Sequence, residues 1–425
     1  MLRKIRIVIF VLVIGCISVN LYGQNSSSSP YSMFGVGDIT NNGFGRSHGM
    51  GNVGSPLMSH NGVNPLNPAS YIGLLPYTFI FEVGLSGNNF ILKTPQGDVS
   101  KFDANIRYIA TGFPITKWWK AGVGLRPISD IGYDIKQEIT FGLDSNTVVN
   151  SYNGKGGVNS FYFDNSFGVL KSLSLGFKLA YVFGSVERTG VSVSNNDLSV
   201  NTITSTDSKV FNALSLGFGA HLHKPIGDKL LLNIGATYNL KTNLATDYEK
   251  FITSETQKWY TTGALIDTLA YGLVQEGTMT LPHSFSFGSS IQFNQKLELA
   301  FDYQLEKWSE SKFFGELQNF KDNRRICFGL EYIPDYNSVK YFKLIKYRLG
   351  FSNSDSYLVF NNQQLKQVGG SLGFDFPLRS GTHINVAFIY NKRKIPGDDR
   401  LSENFFQIHL NFSLLANMFY RGKFE

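Results

Sequence analysis

Charge, cysteine and long apolar runs are all scarce in this chain, and each scarcity removes a class of protein. Charged residues make up 17% of the 425, and no block of like charges occurs. The formal charge of +7 includes Arg3, Lys4 and Arg6; without them 36 basic residues face 32 acidic ones. That balance is too mild for a nucleic-acid partner. The cysteines are Cys16 and Cys327. If the first 23 residues are removed as an export signal, Cys327 alone remains, which excludes an intramolecular disulfide and a cysteine metal site. The apolar run 7–14 is far short of the roughly 20 residues that a spanning helix needs. No catalytic set can be assembled either, including the Ser, His and Asn of a barrel phospholipase. The glycine runs lie outside strand-to-helix loops and cannot cradle phosphate. His221-x-His223 puts two imidazoles on one strand face with no third ligand placed. The expected cofactor is therefore none, and the expected class is not an enzyme.

What the chain does contain is glycine and aromatic residue: 43 Gly, 36 Phe and 21 Tyr. The glycine share exceeds the average of about 7% and fits sheets that curve sharply around a lumen. The run 173–183 shows the organising pattern. Leu173, Leu175, Phe177, Leu179, Tyr181 and Phe183 alternate with small, polar or charged residues. A soluble sheet would hide the bulky face in a core, whereas a closed barrel would turn it to lipid.

Fourteen alternating runs follow residue 76: 77–85, 103–114, 121–139, 157–169, 173–188, 207–223, 229–245, 277–291, 297–309, 323–334, 343–357, 362–377, 383–393 and 402–415. Their number is even, and most exceed the five or six residues usual in soluble sheets, which favours lipid outside. The expected fold is an all-β transmembrane antiparallel β-barrel of about fourteen strands, with an N-terminal plug (hatch) in its lumen. Connections 170–172, 224–228, 292–296 and 378–382 are short. Connections 86–102, 140–156, 191–206, 246–276 and 310–322 read as long extracellular loops. Trp118, Trp119, Tyr332 and Tyr390 suit interfacial girdles. The expected division is a signal peptide at 1–23, hatch at 24–76, barrel at 77–415 and periplasmic tail at 416–425, in the outer membrane of a Gram-negative bacterium. Cys16 as a lipidated first residue is a competing reading of the N-terminus.

Inward parity collects Glu82, Arg126, Asp130, Asp134, Lys136, Lys178, Glu298, Asp302, Glu306 and Glu331, because ionised groups facing lipid are costly. They are expected to pair with one another and with the hatch, where Asp38, Arg46 and His48 are candidates. Pro127 interrupts the third run between Arg126 and Ser129; without an N–H it breaks a ladder bond. Read from the residues alone, that kink is a bulge that sets barrel curvature. An apolar ligand pocket, chosen by parity, would take Phe34, Met50, Leu74, Ile80, Ile128 and Val182.

Four motifs carry a resemblance. Gly49-Met50-Gly51-Asn52-Val53-Gly54 leads to Asn67-Pro68-Ala69; Leu281-Pro282-His283 precedes Ser286-Phe287-Gly288; Asp302 is followed by Trp308-Ser309; and the last strand, 402–415, ends in Phe412 to Leu415 and continues with Ala416-Asn417-Met418-Phe419-Tyr420. With the Pro30-Tyr31-Ser32-Met33-Phe34-Gly35 start, this order resembles the FadL-type outer-membrane transport family. The resemblance implies a lumenal hatch, with Gly49, Gly51, Asn67, Pro68 and Ala69 as its motif residues. It also implies passive transport of fatty-acid-like or aromatic hydrophobic compounds, with release through a gap beside the third strand. PorV-type relatives supply the alternative, a non-transporting subunit or shuttle of an outer-membrane protein secretion or assembly complex. The expected partners are thus outer-membrane lipid with either a hydrophobic small molecule or such complex proteins. A transporter should show a ligand-sized apolar cavity joined to a wall gap, and an interaction barrel a filled lumen.

Overall fold

The computed structural model describes residues 29–40, 43–141, 146–194, 202–256, 265–270, 275–378, 381–397 and 400–417. The expected signal peptide, Cys16 and most of the C-terminal tail lie outside these residues. From Thr78 onward the chain is an antiparallel barrel of fourteen strands. These are β1 Thr78–Thr94, β2 Gly97–Pro114, β3 Trp119–Phe141, β4 Asn146–Leu170, β5 Leu173–Ser194, β6 Thr202–Ile226 and β7 Leu230–Asn239, continued by Thr242–Thr256. Next come β8, built from Gln275–Leu281 and Ser284–Phe293, then β9 Leu297–Glu306, β10 Asn323–Tyr332, β11 Lys346–Phe360, β12 Gln363–Pro377, β13 His383–Lys394 and β14 Ser402–Asn417. The last strand closes on the first, with Thr78 opposite Asn417 and Leu85 opposite Leu410.

Alternation determines which side of each strand meets lipid. On β5, Leu175, Phe177, Leu179 and Tyr181 are exposed on the outer wall, while Ser174, Lys178, Ala180 and Val182 are buried inside. Each of the fourteen sequence runs falls on one of these strands. The expected long loops at 86–102, 140–156 and 246–276 are mostly strand instead. β1 and β2 meet in a tight turn, and β3 to β6 run for 23, 25, 22 and 25 residues. About 9–11 residues cross a bilayer, so the surplus rises above the membrane as a paired wall. Residues 195–201 of the expected loop 191–206 are outside the described set. In 310–322 the chain forms only the short strands Lys312–Phe313 and Glu316–Leu317 after a 3-10 turn.

The described part of the hatch, from Ser29 to Pro76, threads this lumen. It carries short helical turns at Pro30–Met33, Gly45–Gly49 and Pro68–Gly73 and one short strand, Asp38–Ile39. The wall glycines give it room. A Cβ at Gly350 would collide with the Gly51 nitrogen, and one at Gly235 with the Ser55 carbonyl oxygen. The glycine excess thus serves backbone-to-backbone contact between plug and wall as well as curvature.

Candidate functional site: a sealed hatch and an open wall seam

The hatch is fastened by buried charge. Arg46 reaches Glu298 at 2.6 Å and Glu331 at 2.9 Å. Burial works against its charge, but the two carboxylates hold the guanidinium above its ordinary range. Arg348, absent from the sequence expectations, bonds Glu331 at 2.6 Å, Asn385 at 2.6 Å and Asp375 at 3.2 Å. Asp302 accepts the Gly54 and Ser55 N–H groups at 2.8 and 2.7 Å and the Ser55 hydroxyl at 2.9 Å. Asp38 pairs with Arg393 at 2.8 Å, and the same guanidinium meets Glu403, which also accepts from Ser29. His48 makes no such pair; its ring stacks on His409 at 4.0 Å between centroids. Burial, then nearby Arg107, pushes the His48 imidazole down to about 3, so it stays neutral.

The motif residues cap and anchor the plug. The Gly49 carbonyl oxygen accepts from the Ser371 hydroxyl, whose oxygen in turn accepts the Gly51 N–H. Asn67 caps the Pro68–Gly73 turn through the Ala69 N–H at 3.0 Å and donates to the Ser55 and Ala220 carbonyls. Lys178 finds its carboxylate in Asp164 at 3.7 Å and also donates to the Pro65 carbonyl. His221, read as half of an open pair, contacts the Pro56 carbonyl at 3.0 Å. Asp134 and Lys136, expected inward, are exposed. A bulge between Pro127 and Ser129 shifts the parity of β3 by one residue, placing Ile131 and Tyr133 inside.

The kink at Pro127 coincides with a break in the wall. β2 and β3 pair only from Ile109–Leu125 to Pro114–Lys120, and above that level no pairing joins them among the described residues. A second bulge, between Gly84 and Leu85 of β1, leaves Arg107 of β2 without a register partner at the same height. Arg107 reaches across the break to Asp130 at 2.7 Å. From inside, the hatch strand covers β3: Asp38 and Ile39 pair with Asp130 and Ser129, and Thr40 bonds the carbonyls of Ile128 and Pro127. Outside lies an open groove of about 850 Å³ bordered by Ile106, Arg107, Pro127, Asp130, Tyr181 and Phe183.

The six parity-chosen pocket residues do not converge. Val182 and Ile128 belong to an upper cluster around Tyr31, Val36 and Tyr357. Leu74 and Ile80 pack with Phe44, Tyr71 and Tyr108. Met50 lies with Val53, Leu57 and Cys327. Phe34 is half-exposed, edge-on to Phe360. Two pockets beside the hatch, about 50 Å³ next to Arg46 and Glu82 and about 10 Å³ next to His48 and Arg126, are too small for a drug-sized or fatty ligand.

A family model described as BamG matches residues 1–425. The chain belongs to the BamG family. No curated protein matches it. Solved structures share the fold: the toluene transporter TbuX of Ralstonia pickettii is 15% identical, with 87% of this chain and 98% of that one covered and a TM-score of 0.57. The toluene transporter TodX of Pseudomonas putida gives 16%, 89%, 99% and 0.59. A Pseudomonas aeruginosa FadL homologue gives 14%, 89%, 98% and 0.58. This BamG-family chain is therefore an outer-membrane β-barrel with the architecture of FadL-type barrels.

Proposed function

We propose that this barrel acts as a non-transporting subunit of an outer-membrane protein assembly complex, with its lumen permanently occupied by the hatch. The observation that carries this reading is the filled upper lumen. Tyr31 and Val36 of the hatch are buried among Ile131, Tyr133, Val158, Val182, Phe211, Trp308 and Tyr357, where a transporter needs space for its cargo. Membership in the BamG family supports association with an assembly complex. Affinity purification of the tagged chain from membranes tests it. Stoichiometric co-purification with outer-membrane assembly proteins is expected, and a solitary barrel would sink the reading.

A second reading rests on the broken β2–β3 ladder. Passive transport of hydrophobic small molecules, as the names of the toluene transporters indicate for those proteins, would use this break as a sideways exit. It requires the hatch strand and the Arg107–Asp130 pair to move aside. Loss of uptake of an apolar compound on deleting the chain, with complex assembly intact, would favour transport over the first reading.

A further inference from the structure

The hatch covers β3 at residues 127–132 of the wall break but leaves the β2 side open. Residues 98–106 of β2 pair with β1 along one edge; along the other, no strand pairs with them among the described residues. Nine residues make an edge about 30 Å long. From Phe102 to Ile106 its side chains keep the wall's alternation, with Phe102, Ala104 and Ile106 exposed outward and Asp103 buried, while residues 98–101 above them are exposed on both parities. The edge also stands level with exposed aromatic residues of the kind that mark the outer interface of a lipid band. Phe102 pairs with Asn89, Asn89 with Phe406, and Phe406 with Tyr390, whose rings contact at 4.8 Å.

A backbone edge at membrane depth is left with N–H and C=O groups that lipid cannot satisfy, each worth several kcal/mol. Hydrocarbon ligands cannot satisfy them either. Another extended backbone can, by strand addition. Its side chains would have to be apolar toward lipid and polar toward the hatch, which is the pattern of a transmembrane β-strand. We propose that the free edge of β2 at residues 98–106 is a docking site for a β-strand of another outer-membrane polypeptide. The groove outside Arg107 and Asp130 supplies the room, and the Arg107–Asp130 pair marks the lower end of the site. This deepens the assembly reading and rests on it for its biological meaning.

The test uses the full chain in lipid nanodiscs and, as probe, a fluorescent synthetic peptide with the sequence of residues 402–415, an alternating barrel strand. Two further peptides carry N-methyl groups on alternate backbone nitrogens, one on each edge. Strand addition uses one edge only, so one methylated peptide should bind about tenfold or more weakly while the other binds like the parent. A photo-crosslinker at Ala104 should capture the parent peptide, and one at Leu372 on the closed wall should not. Equal binding of both methylated peptides, or equal capture at the two positions, overturns the proposal in favour of apolar adsorption. The outcome separates from that of the assembly reading. A chain that co-purifies with assembly proteins but fails to distinguish the methylated peptides loses the seam and keeps the complex. Discrimination by a solitary barrel does the reverse.

Discussion

Replacing Asp302 should loosen the hatch without unfolding the barrel. Asp302 is fully buried on β9 and holds two backbone N–H groups and one hydroxyl at residues 54–55. Hydrogen bonds to a charged acceptor contribute about 1.5–3 kcal/mol each, but three on one carboxylate are not additive, and removing the carboxylate also removes a desolvated charge. For Asp302→Ala a net loss of about 3–4 kcal/mol is the reasonable expectation. It falls on local release of the hatch, because the β9 ladder to β8 and β10 is backbone-made and stays intact. Amide exchange at Gly54 and Ser55 should then accelerate roughly 10²- to 10³-fold, at about 1.4 kcal/mol per decade. Asp302→Asn should give a smaller acceleration, since one carbonyl oxygen remains to accept. Hydrogen exchange read by mass spectrometry on hatch peptides, beside the heat-induced gel shift of the barrel, separates the two responses. Unchanged exchange at residues 54–55, or acceleration spread evenly through the wall strands, would refute the anchoring argument.

Acid should weaken hatch seating through His48. The seated imidazole is held down to about 3 by burial, and the released one titrates near 6.5, so its contribution is complete above about pH 6.5 and is lost as pH falls toward 3. The slope reaches about 1.4 kcal/mol per pH unit; exchange of hatch amides from pH 6.5 to 4 should rise more steeply in wild type than in His48→Gln. Lys178→Met strands the buried Asp164 and should destabilise the protein by about 3–5 kcal/mol, whereas Lys178→Met with Asp164→Asn should recover most of that loss in a thermal gel-shift series. Recovery absent from the double variant would show that Lys178 acts through the Pro65 carbonyl instead. Pro127→Val should leave uptake of an apolar compound at the wild-type level with normal membrane insertion; an uptake defect specific to this variant would restore the transport reading.

The wall was legible where lipid imposes a pattern and illegible where it does not. On β5 every second residue must satisfy hydrocarbon, so period two is visible from Leu173 to Phe183. Above the membrane, residues 146–156 have water on the outer face, and polar side chains occupy both parities of a strand that continues unbroken. Loop and strand look alike there. Asp134 and Lys136 were misplaced because one extra residue at the Pro127 bulge inverts everything after it. Arg107 carried a readable signal of the same kind. Ile109, Thr111 and Phe113 set the lipid parity of lower β2, and an arginine two residues earlier on that parity demands a bulge between them. Pocket residues were unreadable because inward parity says only that a side chain points into the lumen. It does not say that the hatch has already filled the space.

Where the hatch charges lie also bears on which part of the molecule can move. Ser29 bonds Glu403, Arg46 bonds Glu298 and Glu331, and Ser55 with Gly54 bonds Asp302. These four carboxylates come from β14, β9 and β10, and all are buried. Withdrawing the hatch as a body would leave them without those partners together, and breaking a single buried pair already costs about 3–5 kcal/mol. Traffic through the lumen has to overcome several such terms in one motion. Docking on the outer edge of β2 overcomes none of them, because that edge, the groove beside it and the exposed Phe102 and Ile106 are open with the hatch fully seated. The same ladder break that would serve a transporter as an exit is, with this hatch, more accessible from the membrane than from the lumen. That asymmetry is the physical reason to look for a partner in the plane of the outer membrane.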